Sequence, residues 1–155
     1  DGSNVFKVGG LSIPMLCSMY LSGNQTGNAT ATVVLVALNG TDTDNTGMMA
    51  NTGSNRIDIK RAGTYDCSGV VNWNSVSAAG TRFLSLIYNG ASILSQEEQS
   101  AYAAGCYPAS ITATTTALAV GDQMQLKGFH NTGANETITG STRVTQLVIK
   151  EVPSW

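Results

Sequence analysis

The sequence predicts an all-β fold, an antiparallel sandwich, jelly roll or barrel of eight to ten strands, and three observations carry that expectation. β-Branched residues and glycines recur throughout, and few windows keep an apolar period of 3.6 residues, so helices have little support. Several segments instead alternate apolar and polar residues with a period of two, the mark of a half-buried strand. Clusters of Gly, Asn and Asp separate these segments at intervals of roughly 8 to 15 residues, as turns between short strands do.

In chain order, strands are expected at Val5 to Val8 and Leu11 to Tyr20, with Pro14 marking an edge or bulge in the second. Gly23 to Asn28 and Asn39 to Asn55, rich in Asn, Thr and Gly, read as exposed loops, and between them Thr32 to Leu38 reads as a strand apolar on both faces. Ile57 and Ile59 alternate with Arg56, Asp58 and Lys60, and Ala62-Gly63 bends the chain into its clearest strand, Gly63 to Asn74. There Tyr65, Cys67, Val71 and Trp73 share one face, opposite Thr64, Asp66, Ser68, Val70 and Asn72. Phe83 to Tyr88 is again apolar on both faces, and Leu84 and Leu86 join Tyr65, Cys67 and Trp73 as core candidates. Two-faced strands need a second covering surface. Ser95 to Ala104 is the best helical candidate, because Ser95 and Glu98 could form a capping box, but it is short, bounded by Gly105 and Pro108, and reads as a loop with one turn. Ile111 to Leu118, Gln123 to Phe129 and Val144 to Val152 complete the strands.

The length of 155 residues suggests one domain over 1–155, with residues 1–30 forming an arm or the first strands. Only 12% of residues are charged, against about 25% in an average soluble domain. Thr, Ser, Asn and Gly make up 62 of the 155, so the surface is polar but nearly uncharged. Eight basic and ten acidic residues are scattered, with no basic run beyond Lys60-Arg61, which argues against a nucleic-acid partner. The longest apolar run, Val33 to Leu38, is far short of the roughly 20 residues that span a bilayer, so no membrane insertion is expected. The chain starts at Asp1 with neither an initiator Met nor a signal pattern, which implies a processed, trimmed or partial product.

Four segments, in order, resemble the C1q/tumour-necrosis-factor type of jelly roll. They are Ile57 to Cys67 with its Ala-Gly turn and Gly-x-Tyr strand, Phe83 to Gly90 ending in Asn-Gly, Leu118-Ala-Val-Gly121-Asp122-Gln-Met-Gln-Leu126, and Thr142 to Val148 in the place of the closing strand. The resemblance covers about Arg56 to Val152. The phrase from Asn72-Trp73 through Ala-Gly-Thr-Arg to Leu86 is similar to C1q-like modules of tailed-bacteriophage virion proteins. It implies an antiparallel jelly roll that packs as a homotrimer, with the β face carrying Asp66, Ser68 and Val70 turned toward the axis as a partly polar seam. The chain lacks the collagen stalk of animal members.

Candidate sites are sparse. Cys17, Cys67 and Cys106 are too far apart in sequence for common zinc spacings, and they read as buried free thiols or as one disulfide with a spare thiol. The one histidine, His130, falls between a strand and Asn131-Thr132-Gly133 and reads as a solvated turn residue rather than a general base. Glu97-Glu98 is placed in a polar loop. Asp42 and Asp44, followed by Asn45 and Gly47, resemble the start of a calcium loop, but position twelve is Gly53 instead of Glu; they are weak metal candidates. Four Asn-x-Ser/Thr sequences carry little information in so Ser/Thr-rich a chain, and Trp155 is expected to fold back on its own domain or a neighbour. The expectation is a non-enzymatic trimer without cofactor on the virion surface, assembled in the host cytoplasm. Its partners would be itself, the major capsid protein or another virion protein, and a host-surface glycan. A fibre or tail-tip domain and a secreted C1q-like ligand or lectin are the competing roles.

Overall fold

A computed structural model describes residues 7–8, 11–75, 80–101, 105–141 and 143–153. Within them the chain forms strands β1 (Lys7–Val8), β2 (Leu11–Ser12), β3 (Leu16–Tyr20), β4 (Gln25–Asn28), β5 (Val34–Leu35), β6 (Gly40–Asp44), β7 (Ala50–Asn51) and β8 (Arg56–Asp58). After them come β9 (Gly63–Ser75), β10 (Gly80–Tyr88), β11 (Ser92–Ala101), β12 (Gly105–Leu118), β13 (Gln123–His130), β14 (Glu136–Ile138) and β15 (Gln146–Glu151). One 3-10 turn, Thr52–Ser54, is the helical element among the described residues.

Two antiparallel sheets face each other. The first runs β4-β14-β9-β15-β3-β6 with β12 on the other side of β9, and the second runs β11-β10-β13-β8-β7 with β5 beside β13. The bend at Ala62-Gly63 therefore carries the chain from one sheet to the other, since β8 and β9 belong to different layers. Strand parity fills the space between. From β9, Tyr65, Cys67, Val71 and Trp73 point inward, and they meet Leu84 and Leu86 of β10 and Met124 and Leu126 of β13; all of these are fully buried.

Two glycines set the fit across the sandwich. A Cβ on Gly69 would stand 2.6 Å from Leu126 Cδ2, and one on Gly128 would stand 2.7 Å from Trp73 Cζ2. Each sheet thus opens a notch for a large side chain of the other, which is how a close-packed interior avoids overlap. The β10–β11 connection turns at Asn89 and Gly90, both with positive φ (48° and 77°), the backbone a tight hairpin requires and Asn-Gly supplies.

Several expectations change. Ser95 to Ala101 is strand, not a loop with a helical turn: β11 pairs with β10 from Tyr88↔Ser92 to Gly80↔Ala101. Glu97 and Glu98 therefore sit on a strand. Leu11 to Tyr20 splits into β2 and β3 around Pro14. Thr32 to Leu38 keeps only Val34–Leu35 as strand, because the Gln25 side chain occupies the backbone there, donating to Leu35 O (3.0 Å) and accepting from Ala37 N (2.9 Å). The presumed loops contain β4, β6 and β7. Val5, Ser77 to Ala79 and Trp155 lie outside the described residues.

Candidate functional site

The outward face of the first sheet is built from alternate residues of β9, β15 and β12. Register pairs Ser68 with Val148, Val70 with Gln146, and Val70 with Ser110, so these side chains stand side by side on one surface. Together with Ile111 they line an open depression of about 400 Å³ at the centre of the sheet. Ser68 and Val70, two of the three seam candidates, form its floor. Asp66 stands at its margin, where it accepts a hydrogen bond from the Thr115 hydroxyl (2.6 Å). The surface is mixed: two hydroxyls and an amide among aliphatic groups, with no charge in the depression itself.

The second sheet carries the two-faced strand. On β10, Phe83, Ser85 and Ile87 point outward while Leu84 and Leu86 enter the core. A two-faced strand needs a second covering surface, yet this strand belongs to the sheet opposite Ser68 and Val70. The seam expected from the resemblance and the apolar outer face are different surfaces.

Both cysteines with described side chains are free and buried, and burial pushes the Cys17 and Cys67 thiols up to about 12, with Asp44 and Asp66 respectively adding to the effect. Ile149 of β15 pairs with Cys17 on one side and with Cys67 on the other, so a whole strand separates them. Two strand spacings are about 10 Å, beyond the reach of a disulfide. Cys106 lies on β12 opposite Asn74, seven positions along from Cys67. The alternative of one disulfide with a spare thiol does not fit this register.

His130 is not a solvated turn residue. It ends β13 with the inward parity of Met124, Leu126 and Gly128 and is fully buried. Its Nε2 donates to the Asn28 carbonyl (2.8 Å), and its Nδ1 shares a hydrogen bond with the Thr132 hydroxyl (3.1 Å). The ring stands edge-on to Trp73, with centroids 5.3 Å apart. Sequence reading also missed the neighbouring ion pair, in which Arg82 of β10 donates from Nε (2.9 Å) and Nη2 to the Glu136 carboxylate of β14 and joins the two sheets. Both side chains are 1% exposed. The signal was the inward parity of Arg82 with Leu84 and Leu86. A buried His whose two nitrogens are both engaged has no access to a substrate.

Asp44 is used by the backbone. Its carboxylate accepts from the N–H groups of Thr46, Gly47, Met49 and Ala50 at 2.8 to 3.1 Å and from the Thr46 hydroxyl (2.8 Å). Partial burial pushes its pKa up, but these bonds outweigh that and hold it below the ordinary 3.8. Asp42 faces Arg143 at 3.4 Å. The two carboxylates take different partners, and among the described residues no group of three His, Cys, Asp or Glu is placed to hold a metal. Nor is any helix there long and apolar enough to cross a membrane.

Two antiparallel sheets in this order make a jelly roll of the tumour-necrosis-factor type, and solved structures of that type match it. The chain is similar to Eiger TNF from S. frugiperda, with a TM-score of 0.68 and 11% identity over 92% of this chain and 96% of that one. It is similar to murine APRIL at pH 5.0, with a TM-score of 0.66 and 15% identity over 90% of this chain and all of that one; murine APRIL at pH 8.0 gives the same TM-score at 16% identity. No family model matches the sequence, and no curated protein does. Identities this low establish the fold, and function has to be argued from the chain's own residues.

Proposed function

We propose that the chain acts as a non-enzymatic homotrimer on the outside of a tailed-phage virion, where it decorates and reinforces the capsid through contacts with the major capsid protein. The observation that carries the trimer is the open depression at the centre of the first sheet. It is partly polar, uncharged and formed by Ser68, Val70, Ser110, Gln146 and Val148, on the face that the C1q/TNF resemblance turns toward a threefold axis. A ring interface must be heterologous, so a concave patch on one copy receives a different surface of the next. The virion placement is supported by the resemblance of the Asn72 to Leu86 phrase. Cysteines kept apart by the strand register also suit assembly in a reducing cytoplasm.

The test is addition of purified protein to bare capsids and, in parallel, to host cells. Binding to capsids at a stoichiometry divisible by three supports decoration, binding to cells alone points to a fibre or tail-tip role, and binding to neither contradicts the virion reading. A second reading, a secreted C1q-like ligand, is favoured by the likeness in fold to Eiger TNF and APRIL.

A further inference from the structure

We propose that the outward face of the second sheet holds a binding slot for one neutral pyranose ring of a glycan. The inference rests on the trimer proposed above, whose assembly through the first sheet would leave this face uncovered, and it is here that the two-faced strand β10 exposes its outer side.

Three rows of side chains cross β11, β10 and β13, fixed by register. The outer rows are Glu98–Phe83–Phe129 and Ile93–Ile87–Gln125, and the row between them is Gln96–Ser85–Lys127. Phe83 and Phe129 lie with ring centroids 5.5 Å apart, and Val33 and Ile93, 62% and 59% exposed, form the rest of the apolar rim. Ile87 is buried, although it points away from the core. Between them lies an open slot of about 300 Å³.

The middle row decides the occupant. The Ser85 hydroxyl donates to Gln96 Oε1 (3.3 Å), and Lys127 Nζ donates to the Gly90 carbonyl (2.8 Å) with two further protons to give. An aliphatic or aromatic side chain of a protein partner would bury these groups without replacing their water, at a cost for each polar group left unpaired. A sugar ring presents C–H faces to the apolar rows and hydroxyls to the polar one. Size agrees, since a protein–protein interface takes about 800 Å² from each partner and this slot admits a single ring. Charge agrees as well: Lys127 lines the slot and Glu98 stands one row away on β11 with the opposite sign, so the face as a whole carries no net charge to select a sialylated or phosphorylated sugar.

The test uses the full chain and monomeric probes, so the result does not depend on assembly. Methyl α-D-glucoside, methyl α-D-mannoside, methyl β-D-galactoside and N-acetyl-D-glucosamine are titrated by NMR, with N-acetylneuraminic acid as the charged comparator and N-acetyl-leucinamide standing for a protein side chain. At least one neutral glycoside is expected to saturate at about millimolar Kd, the strength one small ring supports, with shifts at Ser85, Gln96 and Phe129. Ser85→Trp, which fills the slot, and Gln96→Ala are each expected to weaken binding at least fivefold while leaving the melting temperature within two degrees. The proposal is overturned if no glycoside shifts these residues, if N-acetyl-leucinamide alone does so, if the sialic acid binds as well as the neutral rings, or if a bound glycoside is indifferent to both variants.

Discussion

Replacing Gly128 by Ala puts one methyl group into the notch that receives Trp73. The added Cβ would lie 2.7 Å from Trp73 Cζ2, 3.2 Å from Cη2 and 3.8 Å from Ile138 Cδ1, whereas carbon atoms rest at about 3.5–4.0 Å. The indole has nowhere to retreat, being fully buried and set edge-on against His130. Overpacking of this kind costs about 1–3 kcal/mol, and a rigid ring argues for the upper half of that range. Alanine recovers about 0.5 kcal/mol by restricting the unfolded chain. At roughly 2–4 °C per kcal/mol for a domain of this size, the melting temperature should fall by about 3–10 °C. Gly23→Ala is the control, since nothing lies within 4 Å of its Cβ, and it should stay within about 0.5 kcal/mol. Calorimetry at one fixed protein concentration reads both variants. Combining Gly128→Ala with Trp73→Phe should cost less than the sum of the two, because the ring that clashes is gone. Equal melting of Gly128→Ala and the parent would refute the cross-sheet fit.

The remaining predictions concern buried polar groups. Glu136→Gln removes the carboxylate that neutralises Arg82 between the sheets and should destabilise by about 3–5 kcal/mol in urea unfolding, whereas Arg82→Met with Glu136→Leu together should recover most of the loss. Ellman's reagent at pH 8 should leave Cys17 and Cys67 unlabelled in the native protein, because burial holds both thiols near 12, and should count three thiols after denaturation; a count of one would contradict the strand register. Asp44→Asn should cost about 1–3 kcal/mol at neutral pH. Since the folded-state pKa of Asp44 lies below 3.8, its contribution is present above about pH 4 and lost as the pH falls through the folded value, so the variant should show a shallower acid limb in a pH series of melts.

The strand from Gly63 was legible because Tyr65, Cys67, Val71 and Trp73 fall at alternate positions with Gly69 between them, and the one register shift against β12 lies in the partner, between Ile111 and Thr114. The Asn89-Gly90 turn could be read from its dipeptide for the equally local reason that both residues tolerate positive φ. β11 could not be read this way. Ser95 to Ser100 is polar on both faces, and pairing with β10 imposes its extended form from outside the segment. The reverse error, at Thr32 to Leu38, has its cause ten to twelve residues away in a side chain, Gln25, that satisfies backbone groups a neighbouring strand would otherwise take. His130 and Arg82 were within reach of the parity argument, since each continues an inward row of its strand. The charge of Arg82 and the turn that follows His130 point the other way, toward solvent. The first-sheet depression needed register between three distant strands, and no local pattern announces it.

The proposed assembly joins three copies through that depression. Native mass measurement at micromolar concentration tests it most directly. The proposed trimer gives a single species at three times 16.1 kDa, and a shift to monomer when Val148→Glu brings three like charges to the axis while circular dichroism stays unchanged. A parent protein that is monomeric under these conditions, or a trimer indifferent to Val148→Glu, would contradict it.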